Sequence, residues 1–231
     1  MPENFLFAHE GQMATITFYR PERRNCITAE FFRELEHLLV QVRDNDDIRV
    51  LIVTGSGPAF SAGADVGGAK TLQDSQERMK KFAEDIKTFP RLNGRVLEAF
   101  LRLDALTIAA VNGFAVGGGW ALAGVMDFVV AAETAEFWIP EIELGIPFLG
   151  LQTEILARRA GQWLAKDIML LGRHFSAEEL LRLGMITRVV KPDQLMAETR
   201  AFAQKLLTLP KKPITLTKHA INAVFSGPRL Y

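Results

Sequence analysis

Residues 106–132 read LTIAAVNGFAVGGGWALAGVMDFVVAA, and they decide the fold class. The run Leu106–Val111 is apolar except for Thr107, as expected for a strand that is covered on both faces. A glycine-rich turn, Asn112–Gly119, leads into a short helix that ends before Asp127, and Phe128–Ala132 returns as a strand. Strands that alternate with helices in this way favour an α/β fold.

The same alternation continues towards the N-terminus. Met13–Phe18 has the alternating, β-branched pattern of a strand. Thr28 can cap a helix that continues to about Arg43, and Ile48–Thr54 is a second strand, continuously apolar from Val50 to Val53. Pro90 is expected to break the long amphipathic stretch that follows into two helices.

The last third of the chain has a mostly helical pattern. From Gln152 onward apolar residues recur at helical spacing, and Ile186–Val190 is a lone short strand. We therefore predict a core over residues 1–190, which also contains the candidate ligand site described below, and a helical region over residues 191–231.

Composition excludes several classes of function. The chain has 231 residues, 48% of them hydrophobic, which is enough for a sizeable core without a disulfide or structural metal. Its 27 basic and 27 acidic residues cancel, so the charge balance favours neither nucleic acid nor an anionic membrane as a partner. No stretch is apolar enough for a membrane span. The presence of only one cysteine favours a cytoplasmic location. The four histidines lie in separate segments without metal-ligand spacing, so we expect no metal site.

Two turns of small residues follow buried strands and form the candidate site. They are Ala59–Asp65, with the sequence AFSAGAD, and Asn112–Gly119, with the sequence NGFAVGGG. Ligands of α/β folds favour this edge, and small residues let a ligand approach the backbone. An N–H group from each turn can converge on one oxygen as an oxyanion hole. On spacing alone, however, two tight turns without a ligand explain both stretches at least as well.

Several short motifs occur together in one order. Phe60–Asp65, Gly113–Gly119 and Pro140-Glu141, with Arg20–Asn25 near the start, resemble the enoyl-CoA hydratase/isomerase (crotonase) superfamily over nearly the whole chain. The resemblance implies a spiral of ββα units with a C-terminal trimerisation region, which corresponds to residues 191–231. It also implies an acyl-CoA thioester as substrate, a homotrimer or a dimer of trimers, and no cofactor other than the coenzyme A of the substrate.

The resemblance assigns roles to residues of both turns. Ala64 and Gly118 match the two N–H donors that hold the thioester carbonyl, and their neighbours Ala62, Gly63 and Gly117 belong to the substrate-binding turns. Asp65 is expected to hydrogen-bond within its own loop.

The resemblance also places candidate residues for binding the rest of the substrate. Arg23 or Arg24 could meet the CoA phosphates, although a solvated turn explains either equally well. Phe148 and Leu149 could line the acyl pocket, and core packing is the alternative for both.

The carboxylates distinguish the reactions of this superfamily. Its hydratases use two glutamates; the second matches Glu141, and the first falls at Ala121, which cannot transfer a proton. The superfamily's Δ3-Δ2-enoyl-CoA isomerases need one acid, at the position of Glu141. The apolar residues around Glu141 predict a raised pKa, which suits proton transfer near neutral pH.

An isomerase is therefore the leading interpretation, and three others remain. The first is a hydratase in which Glu141 works with a helper acid, for which Glu143 is one candidate. The second is another reaction of this superfamily, such as thioester hydrolysis or a decarboxylation through an enolate. The third is a CoA-binding or assembly protein without catalytic activity.

Overall fold

The computed structural model describes residues 3–65 and 89–223. The strands are β1 (Phe5–Glu10), β2 (Met13–Phe18), β3 (Val50–Gly55), β4 (Ala59–Ser61), β5 (Leu106–Val111), β6 (Phe114–Val116), β7 (Phe128–Ala132), β8 (Glu136–Trp138), β9 (Phe175–Ser176) and β10 (Arg188–Val190). The helices are α1 (Ala29–Arg43), α2 (Phe89–Arg102), α3 (Gly118–Val125), α4 (Leu151–Leu171), α5 (Ala177–Arg182), α6 (Leu195–Leu207) and α7 (Lys211–Ala223).

The strands form two sheets that the chain visits in turn. Within the described residues, the larger sheet has the order β1-β2-β3-β5-β7-β10 and the smaller one β4-β6-β8-β9. A strand of the large sheet is followed by a short strand of the small sheet and then by a helix, in the units β5-β6-α3 and β7-β8-α4. This repetition confirms the α/β spiral of ββα units.

Most of the predicted elements are confirmed. The strand Met13–Phe18 is β2, and Leu106–Val111 is β5. The side chain of Thr28 caps α1 by accepting a hydrogen bond from the Phe31 N–H at 3.1 Å. Pro90 lies in the first turn of α2, where proline is tolerated. The predicted helix before Pro90 falls in residues 66–88, outside the described part of the chain.

The central strands of the large sheet are covered on both faces. On one face the core includes Phe31 and Leu35 of α1 and Val96 of α2. On the other face Phe202 and Leu206 of α6 pack against β3, β5 and β7. Burial on both sides explains the continuous apolar runs of these strands. The C-terminal helices thus pack against the core, while the division at residue 190 stays a prediction. No helix in the described ranges is long and apolar enough to cross a membrane.

A buried lysine attaches α7 to the core. Lys218 Nζ donates to the Ala105 carbonyl at 2.6 Å and lies 2.9 Å from Asp127 Oδ2. Only 3% of the Lys218 side chain and 14% of the Asp127 side chain are exposed. Thr107 donates to the same carboxylate through its N–H and its hydroxyl, at 2.7 and 3.0 Å. The ion pair is therefore well supported by hydrogen bonds.

Replacing Lys218 by alanine should lower the free energy of unfolding by about 2 kcal/mol, because Asp127 loses its buried counter-charge. The loss stays below that typical of a broken buried pair because Asp127 keeps both hydrogen bonds from Thr107. Urea unfolding measures the change, with Lys212→Ala, an exposed lysine of the same helix, as the control. Equal stability of the two variants would contradict a buried ion pair that holds α7.

Candidate active site

The pairing of β4 with β6 brings the two glycine-rich turns together. The strands are parallel, with Ser61 opposite Ala115. A Cβ atom at Gly119 would lie 2.5 Å from the Ser61 carbonyl oxygen, and one at Gly63 would lie 2.6 Å from that of Val116. Neither position has space for a side chain, so glycine is required for the turns to meet.

The backbone around Ala64 directs its N–H away from the neighbouring chain segment. The Ile27 N–H donates to the Gly63 carbonyl at 2.8 Å, and the Asp65 N–H donates to the Ile27 carbonyl at 2.9 Å. Because a trans peptide is planar, the N–H of Ala64 points opposite to the Gly63 carbonyl that Ile27 binds. The Ala64 N–H thus faces away from Ile27.

The Gly118 N–H is the donor of the second turn. Gly118 is the first residue of α3, so its N–H is among those that a helix leaves without an internal partner. The N-cap residue, Gly117, supplies no side-chain hydrogen bond. A Cβ atom at Gly63 would lie 3.6 Å from the Gly118 nitrogen, which places this donor beside the Ala64 turn. The positive end of the helix dipole favours negative charge at this point.

Glu141 lies beside the second turn. The Gly117 N–H donates to the Trp138 carbonyl at 2.9 Å, which joins the turn to the end of β8, shortly before Glu141. A Cβ atom at Gly117 would overlap Glu141 Oε1. The other carboxylate oxygen, Oε2, is buried without a hydrogen-bond partner in residues 3–65 and 89–223. The carboxyl group therefore lies next to the Gly118 donor.

Burial raises the pKa of Glu141 to about 7, and a hydrogen bond from its own backbone N–H only partly offsets this. A group with this pKa is present in both protonation states near neutral pH, so it can accept a proton and return it. The buried environment of Glu141 thus agrees with the raised pKa that its apolar sequence neighbours predict.

Glu143, the candidate helper acid for hydration, points to a different part of the structure from Glu141. The Glu143 carboxylate lies against Gly172, at the end of α4, with Oε1 2.7 Å from the position of a Cβ atom there. Ala121 is completely buried within α3. Among the described residues, no charged side chain contributes to the pKa of Glu141.

The turn that carries the two candidate arginines packs against the first glycine-rich turn. The Ala62 N–H donates to the Arg24 carbonyl at 2.9 Å, and both Arg23 and Arg24 have exposed side chains. Both side chains are therefore accessible to a ligand and belong to a turn that contacts Ala59–Asp65. A role in binding CoA phosphates stays a prediction.

Phe148 and Leu149 lie in different surroundings. Phe148 is buried and lines an apolar cavity of about 250 Å³ together with Ile142, Ala165 and Met169. Leu149 is 63% exposed and is not among the residues that line this cavity. The structure therefore does not bring the two residues into one pocket, and their role in acyl binding stays a prediction.

Asp65 contacts a residue outside its own loop, and the expected bonds to N–H groups within the loop stay a prediction. Its Oδ2 accepts a hydrogen bond from the Cys26 thiol at 3.3 Å. Burial, together with this hydrogen bond, raises the pKa of Cys26 to about 11, so the thiol remains protonated and continues to donate.

The sequence did not single out Asn25 and Ser61 as parts of the site. Asn25 is fully buried, has φ of 53°, and donates from Nδ2 to the carbonyls of Ser56 and Ala59. Ser61 donates to the Asn25 carbonyl. Both residues lie within the motif stretches, Asn25 at the end of a polar turn and Ser61 in a run of small residues, and neither pattern reveals a buried network.

The ββα spiral, the two converging turns and the buried carboxylate together define a protein with the crotonase fold. The chain belongs to the enoyl-CoA hydratase/isomerase family, whose model matches residues 8–230. This membership confirms the resemblance that the motifs indicated.

Relatives within the family differ in activity and in length. The short-chain-enoyl-CoA hydratase of Clostridium acetobutylicum is 32% identical over 95% of this chain and 81% of its own. A crystal structure of an enoyl-CoA hydratase from Bacillus anthracis has a TM-score of 0.84 at 28% identity, covering 95% of this chain and 82% of that one. A monofunctional enoyl CoA isomerase from M. smegmatis has a TM-score of 0.79 at 30% identity, covering 98% of this chain and 96% of its own.

Proposed function

We propose that the protein is a Δ3-Δ2-enoyl-CoA isomerase of fatty-acid or related acyl-CoA metabolism. Glu141 takes a proton from C2 of the 3-enoyl thioester, and the electrons move onto the carbonyl oxygen to give a dienolate. The N–H groups of Ala64 and Gly118 bind that oxygen and stabilise its charge. Glu141 then returns the proton to C4, which leaves the double bond between C2 and C3.

The observation that carries the proposal is the buried carboxylate of Glu141 beside the Gly118 donor. Glu141 has a pKa of about 7 and no charged neighbour among the described residues that contributes to it. One base with this pKa is sufficient for a proton shift within one substrate. Hydration also requires a water molecule to be activated, and Ala121 offers only a buried methyl group at the position of the first hydratase glutamate.

The names of the relatives point to both reactions: the M. smegmatis protein is an isomerase, and the C. acetobutylicum protein is a hydratase. A hydratase remains the second candidate, because most of the similar proteins carry that name. Its helper acid is not identified by the structure, because no charged side chain among the described residues contributes to the pKa of Glu141.

The proposal extends to binding and assembly. Arg23 and Arg24 would meet the CoA phosphates, and no metal or redox group takes part, since the coenzyme arrives with the substrate. We also propose a cytoplasmic location and assembly as a homotrimer or a dimer of trimers. Large exposed apolar side chains of α4 support an assembly interface: Trp163 is 88%, Leu170 56% and Leu171 67% exposed. Light scattering of the purified protein measures the subunit number.

The test is the conversion of a medium-chain 3-enoyl-CoA into its 2-enoyl isomer, measured by the ultraviolet absorbance of the conjugated thioester. Steady appearance of that absorbance, without later loss to hydration, is the expected result. Rapid loss of the absorbance of an added 2-enoyl-CoA would favour the hydratase. Binding of CoA without turnover of either thioester would favour the non-catalytic alternative.

A further inference from the structure

Ser61 joins the two turns that supply the N–H donors, although its side chain is buried away from solvent. It is the last residue of β4 and is completely buried. Its hydroxyl donates to the Asn25 carbonyl at 2.8 Å and accepts a hydrogen bond from the Gly63 N–H at 3.2 Å. A hydroxyl has one proton and two lone pairs, so both bonds form at once.

The Ser61 hydroxyl binds the Gly63 N–H, which belongs to the peptide just before the one that carries the Ala64 N–H. The Gly63 N–H is bound by Ser61 Oγ, and the Gly63 carbonyl is bound by the Ile27 N–H at 2.8 Å. Gly63 is thereby held at both ends in a left-handed conformation, with φ of 78°. Because the Gly63–Ala64 peptide is planar, fixing Gly63 also fixes the direction of the Ala64 N–H.

The same serine also touches the turn of the second donor. A Cβ atom at Gly119 would lie 2.5 Å from the Ser61 carbonyl oxygen and 2.9 Å from Ser61 Cβ. Gly119 directly follows Gly118, so movement of Ser61 changes the positions of both N–H groups. Oxyanion stabilisation depends on donors that are already in place before charge develops.

Asn25, whose carbonyl accepts the hydrogen bond from the Ser61 hydroxyl, is itself held in place by hydrogen bonds. Its Nδ2 donates to the carbonyls of Ser56 and Ala59 at 2.9 and 2.8 Å, and its Oδ1 accepts from the Arg20 N–H at 2.9 Å. With these bonds made, the Asn25 carbonyl is a fixed point to which Ser61 can anchor. A buried polar network of this kind rigidifies its surroundings when it is fully satisfied.

We infer that Ser61 is a positioning residue that sets the direction and separation of the Ala64 and Gly118 N–H groups for the thioester oxygen. The inference rests on the proposed function, because it assumes that these two groups bind a thioester carbonyl. It assigns Ser61 a part in transition-state stabilisation in addition to its part in folding.

The test compares Ser61→Ala with Thr54→Val. Thr54 is also buried, and its hydroxyl donates a hydrogen bond of 2.8 Å to the Ala110 carbonyl within the large sheet, so its loss costs similar stability. For Ser61→Ala we expect kcat to fall about tenfold with KM changed less than about threefold, as for weakened oxyanion donors. Thr54→Val should keep kcat within about twofold of the wild type.

A spectroscopic measurement separates positioning from loss of stability. The infrared C=O stretch of a bound, saturated acyl-CoA labelled with ¹³C at its carbonyl reports how strongly the donors polarise that bond, without any turnover. The stretch should shift to lower frequency on binding to the wild type and to Thr54→Val, and clearly less on binding to Ser61→Ala. Ser61→Cys, which keeps a weak donor and acceptor, should give intermediate values of the shift and of kcat.

The outcomes are distinguishable. If the wild type binds the labelled thioester without a shift, the proposed thioester site is wrong. If the wild type shows the shift and Ser61→Ala keeps both that shift and kcat, the positioning role of Ser61 is wrong. An equal loss of kcat in Thr54→Val would also overturn it. Should Ser61→Ala not fold, Ser61→Cys decides alone, and wild-type values in that variant reject the role.

Discussion

Replacing Glu141 by glutamine should lower kcat for isomerisation by more than about a hundredfold, since general acid–base catalysis contributes about 10²–10⁴. Glutamine has nearly the shape of glutamate but cannot accept the C2 proton. The Ala64 and Gly118 N–H groups remain, so binding of the thioester should change little. Steady-state kinetics with a 3-enoyl-CoA measures kcat, and calorimetry with a saturated acyl-CoA measures binding.

The stability of Glu141→Gln is the control for correct folding. The carboxyl pKa is about 7 in the folded protein and about 4.5 when exposed, so the folded state favours the protonated form. Below pH 4.5 the carboxyl group is protonated in both the folded and the unfolded protein, so ionisation does not oppose its burial. Stability is lost as the pH rises from 4.5 through 7, because the unfolded protein ionises first. At pH 8 this costs about 3 kcal/mol.

Glutamine stays neutral at every pH and avoids this cost. The variant should therefore be more stable than the wild type at pH 8 and equally stable at pH 4.5. Thermal unfolding at the two pH values measures the difference. A variant that is inactive yet more stable at pH 8 identifies Glu141 as a proton-transfer group. Near-normal kcat would remove Glu141 from the mechanism.

The long elements of the fold were predictable because each has its own periodicity. Met13–Phe18 alternates, and the helix after Thr28 places its apolar residues on one face, so both could be located from local pattern alone. The edge strand β1, Phe5–Glu10, was not predicted. Only Phe5 of its residues is buried, so it carries no alternating pattern.

The small sheet was not predictable, and it is the part that assembles the site. The strands β4, β6 and β8 have three residues each, which is too short to show a period. The motifs indicated both turns and Glu141. However, the contact between Gly117 and Glu141 depends on the pairing of Val116 with Trp138 in neighbouring strands. Such pairing is a property of the folded sheet, and a spacing of residues does not reveal it.

Replacing Gly117 by alanine should lower kcat/KM by about a hundredfold, comparable to the loss of one oxyanion donor. Gly117 has φ of 50° and ψ of −117°, a conformation that residues with a Cβ atom rarely adopt. In addition, a Cβ atom there would overlap Glu141 Oε1, so the carboxylate must move away from the reacting carbons. Kinetics with a 3-enoyl-CoA measures the loss.

The effect of backbone strain can be separated from the effect of displacing Glu141 by replacing a second glycine that lies outside the two glycine-rich turns. Gly184 has φ of 70°, and no atom lies within 4 Å of the position of a Cβ atom there. Gly184→Ala therefore introduces strain of about 1–3 kcal/mol without touching the site. It should lose stability and keep its activity, whereas Gly117→Ala should lose both. If both variants kept their activity, the close contact between Gly117 and Glu141 would have no part in catalysis.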